Sequence, residues 1–257
     1  MQTILFEVQN NIAFITLNRP EKINSFNREM SLLLQKKLDE CAGSKEIRCV
    51  YITGNGKGFC AGQDLSVAAD PKGDGLKKIL SEQYNPLVKK IRELQKPVVA
   101  AVNGVAAGAG ANVALCCDIV VASKSANFIQ AFSKIGLIPD CGGTYFLPRL
   151  IGLQKAAGLM MLADKIDATE AERIGMIYKV FEDAIFEEQS KKIAYALAQL
   201  PTQGLWLTKK ALNETYKPYE AQLMLEDELQ QQAASTKDFK EGIQSFLEKR
   251  QPNFKGE

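Results

Sequence analysis

Residues 102–118 read VNGVAAGAGANVALCCD, with no charge before Asp118. A stretch this rich in glycine, alanine and valine constrains the fold strongly, because its backbone must pack at close range against whatever surrounds it. The run leading into it, KPVVAAVNG, is a buried-strand candidate, and a helix is expected after the glycines. The dinucleotide fingerprint G-x-G-x-x-G/A fails here: after Gly108 and Gly110 the third position is Val113. Two readings stay open. The small residues serve close helix–strand packing, or Gly108, Ala109 and Gly110 let a ligand approach main-chain N–H groups at a helix start, where developing negative charge is favoured.

The rest of the chain alternates strand and helix signals. ILFEVQNNIAFITLN alternates apolar and polar residues on both sides of Asn10-Asn11, a hairpin pattern. Residues 27–42 read as a helix, with Met30, Leu33, Leu34, Leu38 and Cys41 on one face. RCVYITG, CDIVVAS and MIYKVFE complete the expected strands. ADPKGDG marks a loop, followed by a helix carrying Leu87, Ile91 and Leu94. Asp167 with Glu170, and Ser235 with Asp238, have the spacing of capping boxes. The second pair precedes Phe239, Ile243, Phe246 and Leu247, which share a helical face, as do Leu225 and Leu229. After Pro201 strand signals vanish. The expected organisation is an α/β core over residues 1–200, in which strand–strand–helix units recur, and a helical region over 201–257.

Length and charge bound the function. The 257 residues, 46% apolar, suffice for one large domain or a core with an appendage. A formal charge of +2 gives no electrostatic reason to expect nucleic acid or an anionic membrane as partner. Six cysteines without a C-x-x-C pair, together with a polar start lacking a basic segment and a long apolar run, point to a reducing cytoplasm. The apolar runs are too short and too interrupted by glycine to span a bilayer. There is no histidine. Its absence removes Ser-His-Asp and Cys-His nucleophilic catalysis and the commonest neutral metal ligand, so no metal site is expected. Acid–base work falls to carboxylates, Lys, Tyr, Cys or bound water.

Two further segments stand out, GKGFCAGQDL at 56–65 and GLIPDCGGTYFLPR from Gly136, where a single acid, Asp140, sits among apolar residues and glycines. Together with ITLNRPEKINSF, AAVNGVAAGAGANVALCCDIVVAS and DFKEGIQSFLEKRQPNF, these segments resemble the crotonase, or enoyl-CoA hydratase/isomerase, superfamily along nearly the whole chain. The resemblance implies a spiral of ββα units with a C-terminal helical trimerisation region, assembled as a homotrimer or a pair of trimers. It implies an acyl-CoA thioester substrate and no cofactor beyond the coenzyme A of that substrate. It places the oxyanion hole at the backbone amides of Gln63 and Ala109. The two glutamates of the family's hydratases fall on Asn112 and Phe132, neither of which can act as a base.

In isomerase branches of the family an acid occupies the P-D-x-G position, here Asp140. A 1,3-shift of a double bond needs one base to remove a proton and return it elsewhere, and Phe132, Ile138 and Pro139 are expected to desolvate that base. GAGAN and GLIPDCGGTYFLPR are similar to the branch that isomerises a ring-epoxide of phenylacetyl-CoA to an oxepin and also shifts enoyl double bonds. Asn112 is then a polar positioning residue near the acyl group; its alternative role is a hydrogen bond at the helix start. The alternative for Asp140 is to cap the helix after Gly142-Gly143. Ala61, Gly62, Asp64, Leu65 and Gly110 are expected around the substrate, with Asp64 bracing its loop. Residues 66–84 are expected to line or cover the acyl pocket, with Leu80 and Tyr84 against the acyl group. Lys22 and Lys255 are candidates for the CoA phosphates, and Cys141 reads as a small turn residue. Two other functions remain: a hydratase using Asp140 alone, and a non-catalytic acyl-CoA binder.

Overall fold

The structure is a computed structural model that describes residues 2–68, 75–216 and 218–257. The loop expected at ADPKGDG lies outside the described residues except for Gly75.

The chain opens with strands β1 (Ile4–Gln9) and β2 (Ile12–Leu17), paired antiparallel with Gln9 opposite Ile12. Asn10 and Asn11 both take positive φ, 51° and 63°. This is the backbone of a two-residue turn whose twist matches the strands, and asparagine tolerates it. Helix α1 (Arg28–Gly43) follows, capped by Asn27, whose side chain accepts from the Met30 amide at 2.9 Å. Met30, Leu34, Leu38 and Cys41 form its buried face.

From there the chain repeats one unit. β3 (Cys49–Gly54) lies in a first sheet and the short β4 (Gly58–Cys60) in a second. Helices α2 (Leu65–Ala68) and α3 (Gly75–Lys78), a π-helical turn at Ile79–Tyr84 and helix α4 (Asn85–Glu93) complete that turn of the spiral. The next turn uses β5 (Val98–Val102), β6 (Val105–Ala107) and α5 (Ala109–Leu115). The third uses β7 (Ile119–Ser123), β8 (Asn127–Ile129), a 3₁₀ turn at Ala131–Ile135, α6 (Gly143–Ile151) and α7 (Leu153–Leu162). Then come β9 (Lys165–Asp167), α8 (Ala168–Arg173), β10 (Lys179–Phe181) and α9 (Asp183–Gln199). The first sheet has the order β1-β2-β3-β5-β7-β10, parallel after the opening hairpin; the second is β4-β6-β8-β9, parallel except at β8–β9.

Alternation explains why the first sheet reads as continuous apolar runs. Val50 and Ile52 of β3 and Val98, Ala100 and Val102 of β5 join the core with α1 and α4. Cys49, Tyr51, Val99 and Ala101 face the other way, onto Phe186, Ala194 and Ala198 of α9. Both faces are covered, so the two-residue period carries no polar side. The second sheet was not among the expected strands. Its members are three residues long, too short to show a period, and only their pairing across successive turns makes them strands. MIYKVFE likewise contributes only Lys179–Phe181 as strand.

Beyond Pro201 the described residues hold helices alone: α10 (Thr202–Asn213), α11 (Tyr219–Ala234) and α12 (Lys237–Leu247). Two buried cations join them to the rest. Arg48 donates to Thr202 Oγ1 and to the carbonyls of Leu200 and Phe254 at 2.7–2.9 Å. Lys209 pairs with Asp118 at 2.8 Å and donates to the Ile91 carbonyl. The Asp167 cap of α8 is present, accepting from the Glu170 amide at 2.8 Å. The Ser235–Asp238 box is not. Ser235 bonds back to the Gln232 carbonyl and Thr236 caps α12, while Asp238 is buried and receives the amides of Lys255 and Gly256 at 2.7 Å each. Asp238 thus anchors the C-terminal tail, which the local spacing could not distinguish from a cap.

Candidate active site

Glycines bring the segments of the site together. Gly62 has φ of +88°, and a Cβ there would lie 2.8 Å from the Ala107 carbonyl and 3.3 Å from the Ala109 nitrogen. The loop after β4 therefore runs directly against the start of α5. Gly110 packs rather than binds: a Cβ would fall 2.3 Å from the Cys60 carbonyl. The expectation that Gly110 touches substrate is corrected accordingly, since its Cα is pressed on β4 and it does not line the cavity.

Two amides are left open where these segments meet. Phe26 bridges Gln63 in parallel: its N–H donates to the Gly62 carbonyl at 2.6 Å, and its carbonyl accepts from Asp64 N–H at 2.9 Å. In a trans peptide the N–H opposes the preceding C=O, so the Gln63 amide points away from Phe26. Ala109 is the first residue of α5, where an amide has no intrahelical acceptor. Neither amide finds an acceptor among the described residues.

Gln63 and Ala109 line a cavity of about 150 Å³ with Ala61, Gly62, Leu65, Leu76, Ile79, Tyr84, Gly108, Phe132, Leu137 and Asp140 among its walls. A neighbouring cavity of about 250 Å³ shares Leu76, Leu137 and Asp140 and adds Leu80, Asn85 and Pro139. Phe132 is buried, and its ring lies over Gly108, where an added Cβ would be 3.8 Å away. Asp140 is the one carboxylate among the described lining residues of the first cavity.

The Asp140 carboxylate does not cap α6. Gly142 occupies the cap position without a side-chain bond, and Oδ1 of Asp140 is buried with no hydrogen-bond partner. Cys141 and Gly142 take positive φ in tandem, 50° and 75°. The main chain of Asp140 is held separately: its carbonyl accepts from Asn112 Nδ2 and from the Gly143 amide, both at 2.9 Å. Burial pushes the carboxyl up from its ordinary 3.8 to about 6, with the Cys141 thiol hydrogen bond opposing. The desolvating wall differs in part from the expected one. Phe132 is in place, and Pro139 and Ile138 line the adjoining cavity, although Ile138 is 81% exposed and gives the acid little cover. Leu65, Leu76, Ile79, Tyr84, Ala131, Ile135 and Leu137 add to the apolar wall, three of them on the segment after residue 74.

Asn112 does not line the cavity. It is 1% exposed, accepts from Gln130 Nε2 at 2.8 Å, and reaches Asp140 because Gly143 has no Cβ to block it. It positions the backbone of the acid rather than the acyl group, a correction that follows from its inward-turned rotamer. Asp64 also lies outside the lining. It accepts from Ser66 Oγ at 2.6 Å and pairs with Arg19 at 2.8 Å, and the Ser66 bond foremost, with Arg19 beside it, holds its carboxyl below the usual range. It braces its loop through these bonds. Lys22 is exposed on a short turn outside the lining, and the Lys255 amide is engaged by Asp238. Sequence reasoning missed Arg19, Gln130 and the hydrogen bond from Tyr84 Oη to Gln63 Oε1. All three are long-range pairings without a local signature.

A larger open groove of about 610 Å³ lies elsewhere, lined by Glu7, Asp183, Glu187 and Lys191 among others. Hydrogen bonds from Ser123 and Ser125 hold the Asp183 carboxyl below its ordinary range, which makes it a poor base. Volume alone therefore does not mark the chemical site. Among the described residues no cluster of His, Cys, Asp or Glu is placed to hold a metal ion, and no helix is long and apolar enough to cross a membrane.

The chain matches the enoyl-CoA hydratase/isomerase family over residues 7–257. It is 46% identical over 260 residues to 1,2-epoxyphenylacetyl-CoA isomerase of Escherichia coli (strain K12), covering 100% of this chain and 99% of that protein. It is 45% identical over 255 residues to a Rhodobacter capsulatus protein named "Probable enoyl-CoA hydratase", covering 99% and 98%. The crystal structure of an enoyl-CoA hydratase from Bacillus anthracis superposes with a TM-score of 0.95 at 32% identity, covering 100% of each chain. The chain belongs to the enoyl-CoA hydratase/isomerase, or crotonase, family and has its ββα spiral with C-terminal helices. It is an enzyme acting on CoA thioesters.

Proposed function

We propose that the chain is an acyl-CoA isomerase in which Asp140 removes and returns the migrating proton, and that its substrate is the ring-epoxide thioester 2-(1,2-epoxy-1,2-dihydrophenyl)acetyl-CoA. One observation carries this reading: a half-buried acid whose Oδ1 is buried and unpartnered shares a small apolar cavity with two unbonded amides. Withdrawing a proton from the carbon beside a thioester sends an electron pair onto the carbonyl oxygen. The amides of Gln63 and Ala109 receive that charge, and preorganised donors of this kind are worth about 3–4 kcal/mol each. The carboxyl, now protonated and shielded by Phe132 and Leu137, returns the proton at a more distant carbon. The double bond moves, or the epoxide-bearing ring rearranges, with no net change in atoms. Hydration would call for a second carboxylate to manage water, and Phe132 stands at one of the positions where the family's hydratases carry one. The 46% identity to an epoxyphenylacetyl-CoA isomerase supports the ring substrate.

In the same proposal the core spans residues 1–200, the helices of 201–257 mediate assembly as a trimer or pair of trimers, and the six free buried cysteines suit a reducing cytoplasm. Leu223, Met224, Phe246 and Leu247 are exposed in the single chain, which favours burial between copies.

The test compares three thioesters. A 3-enoyl-CoA should gain conjugated enoyl absorbance, the ring-epoxide should turn over with the higher kcat/KM, and crotonyl-CoA absorbance should persist. Asp140→Asn should lower both isomerisations by about 10²–10⁴-fold while CoA-ester binding survives. Rapid loss of crotonyl-CoA absorbance would make the enzyme a hydratase, and binding without turnover on all three would make it a binder.

A further inference from the structure

One of the two proposed oxyanion donors is held by its own side chain. The backbone bridge to Phe26 fixes which way the Gln63 amide points, but Gly62, just before it at φ +88°, has no Cβ to restrain rotation of the peptide plane they share. The Gln63 side chain supplies a second anchor: Tyr84 Oη donates to its Oε1. Tyr84 is 1% exposed, lines the cavity, and meets the Phe26 ring edge-on with centroids 5.9 Å apart. Phe26 and Tyr84 therefore grip Gln63 from the backbone and the side chain respectively, and grip each other.

The mount of Tyr84 is itself fixed. It ends the π-helical turn Ile79–Tyr84, an irregular turn of the kind that recurs at functional sites. Gln35 of α1 donates from Nε2 to the carbonyls of Glu82 and Gln83 at 2.9 and 3.0 Å. Arg28 pairs with Glu82 at 2.6 Å. A continuous chain of contacts thus runs from α1 through the turn to Tyr84, Gln63 and the open amide.

We propose that Tyr84 is a positioning residue that aims the Gln63 amide at the thioester oxygen through the Gln63 side chain. The inference rests on the oxyanion-hole reading above and is independent of the role of Asp140. A hydroxyl that merely fills space would leave the amide untouched when removed. A hydroxyl that orients it weakens the hydrogen bond on which catalysis depends, because small displacements of a preorganised donor cost rate rather than affinity.

The test uses Tyr84→Phe, Gln63→Ala (which keeps the amide) and the double variant, each checked for an unchanged thermal midpoint. Turnover of a 3-enoyl-CoA is measured beside the infrared carbonyl stretch of bound butyryl-CoA labelled with ¹³C at the thioester carbon. In the unmodified enzyme the stretch should move to lower frequency on binding. Tyr84→Phe should lose much of that displacement and about tenfold in kcat, with KM within about twofold. Gln63→Ala should match it, and the double variant should be no worse than either single one. If Tyr84→Phe keeps the full displacement and kcat, or if the two losses multiply, this inference is overturned. Absence of any displacement in the unmodified enzyme overturns the oxyanion-hole reading with it. Asp140→Asn should keep the displacement while losing turnover, which separates a failure of the base from a failure of Tyr84.

Discussion

Replacing Asp140 by Asn should cost activity and raise stability, with a pH signature set by burial. The carboxyl titrates near 6 in the folded protein against an ordinary 3.8, and desolvation is the main cause. Below 3.8 it is protonated in both states and contributes nothing to the difference. Between 3.8 and about 6 the folded state binds more protons than the unfolded one, so stability falls as pH rises. Above about 6 the full cost is present, about 3 kcal/mol at roughly 1.4 kcal/mol per pH unit. An amide does not titrate, so Asp140→Asn escapes this cost; any penalty for the amide itself is the same at every pH. The assay is urea unfolding of both proteins at one protein concentration from pH 3.5 to 8. The stability of the variant relative to the parent should rise by about 3 kcal/mol across the window from about 4 to 6 and then level off. In thermal unfolding that corresponds to about 6–10 °C for a chain of this size. A pH-independent difference, or one that favours the parent as pH rises, would show that the carboxylate is solvated or paired. The argument for Asp140 as a strengthened base would then fail with it.

The same carboxyl should govern turnover: kcat/KM for 3-enoyl-CoA isomerisation should rise with pH through an apparent pKa near 6, and a flat profile over pH 5–8 would exclude Asp140 as the base. Gly110→Ala places a Cβ 2.3 Å from the Cys60 carbonyl and should destabilise by about 1–3 kcal/mol in urea unfolding, whereas neutrality would mean β4 and α5 are not tightly packed. Arg48→Ala strips hydrogen bonds from Thr202, Leu200 and Phe254, and should cost about 2–4 kcal/mol and make the chain near residue 200 more sensitive to limited proteolysis; an unchanged cleavage pattern would contradict that anchoring role.

The proposed oxyanion donors could be placed on the sequence through the family resemblance, because that chemistry uses main-chain groups. Such a donor needs small residues and particular turns, and both are visible in AGQ at 61–63 and AAGAGAN at 106–112. Asp140 was readable because a lone acid among apolar residues is costly unless it has a task. The roles of its neighbours were not. Asn112 and Asp64 are polar residues beside the site, yet one turns inward to hold a carbonyl and the other pairs with Arg19, 45 residues earlier. Ile138, two residues before the acid, is 81% exposed and reaches only the adjoining cavity, while Leu76 and Ile79, some 60 residues away, line the cavity that Asp140 shares with the open amides.

Local sequence determined the hairpin at Asn10-Asn11, the long strands of the first sheet, α1 with its Asn27 cap, and the all-helical character after Pro201, because each is written in a period or turn chemistry shorter than the element itself. The second sheet, the burial of Asp140 and the hold of Tyr84 on Gln63 were decided only by tertiary structure. Three-residue strands have no period to read, and desolvation and long-range hydrogen bonds depend on which distant segments the spiral brings together.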